Sequence, residues 1–320
     1  MRPVSALASA TVITLIILIA LLLTACSSTP EPSPEPVAIE PTYQPWFAGV
    51  DLAAYLDCAR EQHGTLLQAH RAGDRPGAAE NSLGAIEASL DDGAVFLEID
   101  VAQTADGVLV LMHDRTVDRT TNGTGTVTEL TAEAFAQLQL VDVDGRLIDE
   151  APPTLAGTFD ALDGRGIAQI DLKGVAIDTI ADAIKAANAA ERSIVITYSI
   201  EDAIALHRRL PEVMFSVGID ELSELQPLID AGVDLTRMTA WLGADGTGNP
   251  TLDAELAYRG IETSYGNFRG EREGTVDYEL MANNGAEVIS VDDMPAAANA
   301  LDASARARAL LAACPAAKGS

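Results

Sequence analysis

Val95-Phe96-Leu97-Glu98-Ile99-Asp100-Val101-Ala102-Gln103-Thr104-Ala105-Asp106-Gly107-Val108-Leu109-Val110-Leu111-Met112-His113-Asp114 is the stretch whose reading decides the fold. It begins with one apolar, β-branched run (95–101) and ends with a second (108–113), both of strand length. Asp100 and His113 are separated by twelve residues, with Asp106-Gly107 in their middle. A parallel crossover needs about a dozen residues or more and usually a helix, whereas Asp-Gly favours a tight hairpin turn. The second run is therefore expected to fold back on the first. Pairing outward from a two-residue Asp106-Gly107 turn sets Ala105 opposite Val108 and Asp100 opposite His113, and a slip of one residue or a bulge still delivers His113 to the neighbourhood of Asp100.

Working outward, a short helix is expected near 51–62. Strand-like runs then follow at 65–70, 168–173, 193–198, 214–219, 237–242, 260–265 and 287–291, separated by Ala-rich helical stretches. That alternation implies βα units and a parallel sheet. With 95–101 and 108–113 the runs number nine, one too many for a (βα)8 barrel, and the hairpin removes 108–113 from the ring. The expected fold class is thus α/β, a TIM-type barrel with a β-hairpin and an inserted excursion (115–165, with a helix near 131–139) after the second barrel strand. In a chain of 320 residues, 48% hydrophobic, one such domain consumes most of the length.

The formal charge is −28, with only three lysines (Lys173, Lys185 and Lys318), which excludes nucleic acid or an anionic membrane face as an electrostatic partner. At the N-terminus, Arg2 precedes an apolar run over 11–23, short for a retained spanning helix, that ends in Leu23-Thr24-Ala25-Cys26. That tetrad resembles the bacterial lipoprotein box, with Cys26 lipidated, and implies a membrane-anchored protein of the cell envelope. The expected organisation is a signal peptide (1–25), a Pro-, Glu- and Ser-rich tether (26–48), a helical extension (49–64), the barrel (65–310) and a tail (311–320). Cys58 and Cys314 lie near opposite ends of the folded part. An exported barrel that brings its ends together suits a disulfide between them.

Residues two apart on a strand share a face, so Glu98 and Asp100 point the same way as Phe96, while Val95, Leu97 and Ile99 face the helices. Carboxylates turned into a barrel are costly unless they meet something positive. The same alternation in Ile170-Asp171-Leu172-Lys173 offers a third acid and an ammonium on the next barrel strand. Adjacent strands are about 4.8 Å apart, so Glu98, Asp100 and Asp171 can share one hard divalent cation, Ca2+ or Mg2+. Salt bridges to Lys173 and Arg71 are the competing reading. His70 and His113 close two of the runs, and such a pair can divide proton transfers at a bound phosphate. Trp241, at a strand end, is open to two readings, a platform for a headgroup or plain core.

His70-Arg71-Ala72-Gly73, Ala79-Glu80-Asn81-Ser82, Glu98-Ile99-Asp100, Thr104-Ala105-Asp106-Gly107, His113-Asp114 and Arg119-Thr120-Thr121 together resemble the signature of the glycerophosphodiester phosphodiesterase family. The similarity runs over about 66–295, and Asp292-Asp293-Met294-Pro295 resembles the family's ending of the eighth strand. The resemblance implies a TIM barrel that hydrolyses a glycerophosphodiester to glycerol 3-phosphate and an alcohol. It implies His70 and His113 as catalytic residues, Glu98, Asp100 and Asp171 as metal ligands, and Arg71 and Lys173 as phosphate contacts. Glu80 matches an acid near the metal or that Arg. The chain departs from the pattern at Ala72, at Ala79, at Asp171 where Glu is usual, and at Ile261-Glu262-Thr263-Ser264-Tyr265 where a Trp-Thr motif is usual. Two rival readings stand beside hydrolysis. One is a phospholipase D-like or cyclising phosphodiesterase, and the other a substrate-binding lipoprotein without turnover.

Overall fold

Nine strands form, each inside one of the nine expected runs or within two residues of it: β1 (Leu66–Ala69), β2 (Phe96–Gln103), β3 (Leu109–Leu111), β4 (Ile167–Leu172), β5 (Ser193–Thr197), β6 (Met214–Gly218), β7 (Met238–Trp241), β8 (Glu262–Gly266) and β9 (Val288–Val291). Eight of them pair in parallel, β1–β2–β4–β5–β6–β7–β8–β9, and β9 returns to β1. The ring is a closed (βα)8 barrel, and β3 bonds antiparallel to β2 outside it. This computed structural model describes residues 50–162 and 164–314. The expected signal peptide, Cys26, the tether and residues 315–320 lie outside the described residues. Among those described, no helix is long and apolar enough to cross a membrane.

Period-two alternation builds the barrel in layers. At the N-terminal end of the strands the inward residues Leu66, Phe96, Ile167, Ile194, Met214 and Val288 form one cluster with Leu52, Tyr55, Leu56 and Ala59. The last four belong to the Leu52–Glu61 helix, capped by Asp51, so this extension closes the bottom of the barrel. Each fully buried Leu, Ile or Phe there contributes about 1.5–3 kcal/mol. Val95, expected to face the helices, joins this floor cluster instead, one residue ahead of β2, where its N–H donates to Leu67 O and its carbonyl accepts from Ile167 N. The outward residues Leu67, Leu97, Ile99, Ala168, Ile170, Phe215, Ala240 and Ile289 pack in the larger core with the surrounding helices. Above the apolar floor the interior turns polar with Gln68, Glu98, Gln169, Ser216 and Ser290, all buried.

The hairpin differs from expectation by one step. Val101 pairs with Leu111 and Gln103 with Leu109, and Thr104 N donates to Val108 O at 3.0 Å, so Asp100 stands opposite Met112 rather than His113. The turn has three residues, Ala105-Asp106-Gly107, with Gly107 left-handed at φ 88°. The Thr104 hydroxyl accepts from Val108 N at 3.0 Å and donates to Asp106 Oδ1 at 2.7 Å, which holds the wider loop. The excursion beyond β3 packs on a small core of Ala102, Val110, Met112, Val117, Val127 and Phe135; the helix expected near 131–139 is a single turn, Ala132–Phe135, and a longer one, Leu155–Leu162, precedes β4. At the far end, the Ala303–Ala313 helix runs past the expected barrel boundary at 310. Cys314 after it is bonded to Cys58, 256 residues earlier.

Candidate active site

At the C-terminal end of the barrel, the β2–β4 register sets Asp100 beside Asp171 and Glu98 beside Gln169. One carboxylate oxygen from each of Glu98, Asp100 and Asp171 lies within 4.8 Å of the others, and all three residues are buried. Each acid is held by a donor from a different element. The segment after β1 runs left-handed at Arg71 (φ 51°), Ala72 (φ 65°) and Gly73 (φ 82°), which turns the Arg71 backbone N–H onto Glu98 Oε2 at 2.6 Å. Two non-glycine residues there cost roughly 1–2 kcal/mol each, strain held where the site needs it. Asn81 Nδ2 donates to Asp100 Oδ2 at 2.6 Å, and Asp100 N donates back to Asn81 Oδ1 at 2.8 Å. The Tyr198 hydroxyl, at the end of β5, lies 2.7 Å from both oxygens of Asp171.

An ammonium faces two of the three acids: Lys173 Nζ lies 2.7 Å from Asp171 Oδ2 and 3.0 Å from Asp100 Oδ1. Burial lowers the lysine's affinity for its proton, and the charges of Asp100 and Asp171 more than restore it. Burial pushes the Glu98 carboxyl up to about 8, and the neighbouring Asp100 charge adds to the push. Three buried carboxyl groups converge here, and their hard oxygen atoms suit a divalent metal ion. The cluster can therefore hold such an ion, and the Lys173 salt bridges coexist with that capacity. The Arg71 guanidinium does not neutralise the triad.

The two histidines flank the acids, and each has its Nδ1 fixed by a carboxylate. His70 Nδ1 is 2.7 Å from Asp292 Oδ1, its Nε2 is 4.0 Å from Glu98 Oε2, and its ring stacks on Phe268 at 4.5 Å. Burial pulls the His70 pKa down, but the Asp292 bond and the Glu98 charge outweigh it, and the net shift is upward. His113 Nδ1 is 2.7 Å from Asp114 Oδ1, and Arg71 Nη2 lies 2.9 Å from His113 Nε2. A guanidinium can only donate, so Nε2 is the lone-pair nitrogen and Nδ1 carries the proton to Asp114. The bond from Arg119, with His113's own, holds Asp114 well below the usual carboxylate range.

Glu80 lies away from the triad. Arg119 grips it with both Nη atoms at 2.8 Å, and Arg71 Nη1 lies at 3.2 Å. Burial raises its pKa and the two guanidiniums more than reverse that. Of the residues singled out in the sequence, His70, Arg71, Glu98, Asp100, His113, Asp171 and Lys173 come together at one mouth, with Glu80 behind Arg71. Asp114, Asp292, Asn81, Arg119 and Tyr198 were not assigned roles. The first four stand inside quoted motifs, which was the signal available, and Tyr198 had none. Below the mouth lies a cavity of about 410 Å3, floored by Gln68, Gln169, Ser216 and Ser290 and walled by Ile196, Tyr198, Trp241 and Phe268. Trp241 is thus a cavity wall.

Fold and site are those of a barrel enzyme that hydrolyses phosphoric diesters. The model of the glycerophosphoryl diester phosphodiesterase family matches residues 70–222. A glycerophosphodiester phosphodiesterase of Caldanaerobacter subterraneus is 36% identical over 170 residues, 49% of this chain and 69% of that protein. Human glycerophosphodiester phosphodiesterase 1 is 50% identical over 70 residues, 22% of this chain and 21% of that protein. Among solved structures, a glycerophosphoryl diester phosphodiesterase from Parabacteroides distasonis superimposes with a TM-score of 0.71 at 24% identity, over 80% of this chain and 90% of that one. A phosphodiesterase from Oleispira antarctica, in complex with the product sn-glycerol-3-phosphate, gives 0.60 at 17% identity, over 76% and 99%. The chain belongs to the glycerophosphodiester phosphodiesterase family.

Proposed function

We propose that this protein hydrolyses a glycerophosphodiester to glycerol 3-phosphate and an alcohol, with His113 as base, His70 as acid and Glu98, Asp100 and Asp171 as ligands of Ca2+ or Mg2+. The observation that carries the reading is the pair of carboxylate-fixed imidazoles on either side of a buried triad of acids. The relatives' names and the glycerol 3-phosphate bound in the Oleispira structure support the substrate. A divalent cation, when bound, supplies positive charge against the negative charge that builds on the phosphoryl oxygens.

The side chains supply the rest. Arg71 and Lys173 stand at the mouth to bind the phosphate. As Arg71 turns to it, His113 Nε2 is released to take a proton from water. The water oxygen forms a bond to phosphorus, the phosphorus–alkoxide bond breaks, and His70 gives its proton to the departing oxygen. Asp114 and Asp292 keep the two rings in orientation through the cycle. Asp171 contributes a shorter arm than the usual Glu.

Release of glycerol 3-phosphate from glycerophosphocholine, assayed with Ca2+, Mg2+ and EDTA, tests the reading. EDTA is expected to abolish turnover, and His113→Ala and His70→Ala to lower kcat by at least ~10²-fold with folding intact. Full activity of His113→Ala in EDTA would refute it, and a cyclic phosphate seen by phosphorus NMR would move the assignment to cyclisation. We propose further that lipidation at Cys26 anchors the enzyme to a membrane of the cell envelope, supported by the apolar run before Leu23-Thr24-Ala25-Cys26. Residues 26–48 would then be a tether. Mass spectrometry of the mature N-terminus checks it, and an unmodified Cys26 ends it.

A further inference from the structure

We propose that Tyr198 is a positioning residue for the cation site, holding Asp171 so that one carboxylate oxygen faces the ion while the other keeps the phenol. The inference rests on the reading that Glu98, Asp100 and Asp171 bind a divalent cation.

Tyr198 directly follows Thr197, the last residue of β5, and shares the inward parity of Ile194 and Ile196. It is 71% exposed, so apolar burial does not fix its ring. What fixes it is the hydroxyl, which reaches past the rim to a residue only 8% exposed. An exposed aromatic side chain gives up rotamer freedom for that contact, and the bond to a buried carboxylate offsets the loss.

The other two acids show what such a donor is for. Glu98 is held by the Arg71 backbone N–H and Asp100 by the Asn81 amide, both uncharged. A neutral donor orients a carboxylate without cancelling its charge, which is what a cation ligand requires. Lys173 lies between Asp100 and Asp171 and can orient neither without neutralising it. Tyr198 is the neutral donor that completes the set. Its hydroxyl is equidistant, 2.7 Å, from the two oxygens of Asp171, and its one hydrogen can bond only one of them at a time. Lys173 Nζ already meets Oδ2 at 2.7 Å, so a phenol hydrogen placed on Oδ2 leaves Oδ1 to turn toward an ion.

Tyr198→Phe removes the hydroxyl and keeps the ring. Ca2+ and Mg2+ binding to the purified protein is measured by calorimetry for wild type, Tyr198→Phe, Asp171→Asn and the double variant, with Glu98→Gln as the control that loses the site. Melting temperatures are taken in EDTA. Tyr198→Phe is expected to weaken cation binding about 10- to 100-fold, with its melting temperature in EDTA unchanged. In the Asp171→Asn background the same substitution should have no further effect. Wild-type affinity or tighter binding in Tyr198→Phe overturns the proposal, because the phenol would then be idle or a competitor of the ion. A further loss in the Asp171→Asn background overturns it too, since Tyr198 would act other than through Asp171. A wild-type protein that binds neither ion refutes the cation reading itself, and this role with it.

Discussion

Asn81 stands at φ 56°, a left-handed backbone that costs most side chains roughly 1–2 kcal/mol and that asparagine tolerates better than others. From there its amide bonds Asp100 twice, once to the carboxylate and once to the backbone N–H. Neither Asp100 group is open to water, so replacing Asn81 by Ala leaves a buried charged acceptor short of a donor. Asn81→Ala should lower stability by about 2–3 kcal/mol in urea unfolding, and an unchanged midpoint would show the amide to be dispensable. At this scale the sequence was partly legible. The residues proposed to donate, accept or ligate fell in quoted motifs, because His, Asp and Glu are conspicuous at strand ends. Their orienting partners were harder to see. Asn81 is nineteen positions from Asp100 and Asp292 is 222 from His70, and no local pattern encodes a contact that only the closed ring makes.

The β2–β3 hairpin shows what an element's sequence fixes and what it leaves free. Asp106-Gly107 announced the turn, and the turn settled the number of barrel strands. Its length was not announced, since Asp-Gly serves both a two-residue turn and the last two positions of a three-residue loop. Thr104 decided it, by closing on Val108 N and on Asp106. The one-residue shift does not displace His113 from the mouth, because that residue lies beyond the end of β3 and is held by Asp114 and Arg71. The three-residue loop puts a demand on Gly107, whose φ of 88° most side chains avoid, although a Cβ there would meet only Gln103 Nε2, at 3.8 Å. Gly107→Ala should therefore cost about 1 kcal/mol from the backbone alone. Equal unfolding midpoints for the variant and wild type would show that the loop relaxes to another turn.

In the whole molecule the two ends of the barrel carry opposite problems with acids. At the mouth, three clustered carboxyl groups have the geometry to recruit a cation. Near the floor, Asp253, Glu262 and Glu287 are buried around β8, and the Ile261–Tyr265 departure that stood out in the sequence is partly explained by them. Glu262 faces Arg60 of the floor helix, Asp253 accepts from the Thr263 hydroxyl, and Glu287 accepts from Thr263 N. Composition could not reveal this, because 48 acidic residues give no hint of which are inside. Arg60 bonds Glu262 and is shared with Asp57. Burial, with the Asp253 and Glu262 charges added, pushes Glu287 up to about 8, and burial raises Glu262 to about 7 against the pull of Arg60. A carboxyl whose folded pKa lies above its unfolded value binds more protons in the native state, so its contribution is complete below about pH 4.5 and is lost as pH rises toward 8. Glu287→Gln keeps the acceptor and removes the titration. The variant should match wild type near pH 5 and exceed it near pH 8 by on the order of a few kcal/mol, read as the difference in urea midpoints at the two pH values. An identical fall in stability between pH 5 and 8 in both proteins would mean that Glu287 does not carry the pH dependence.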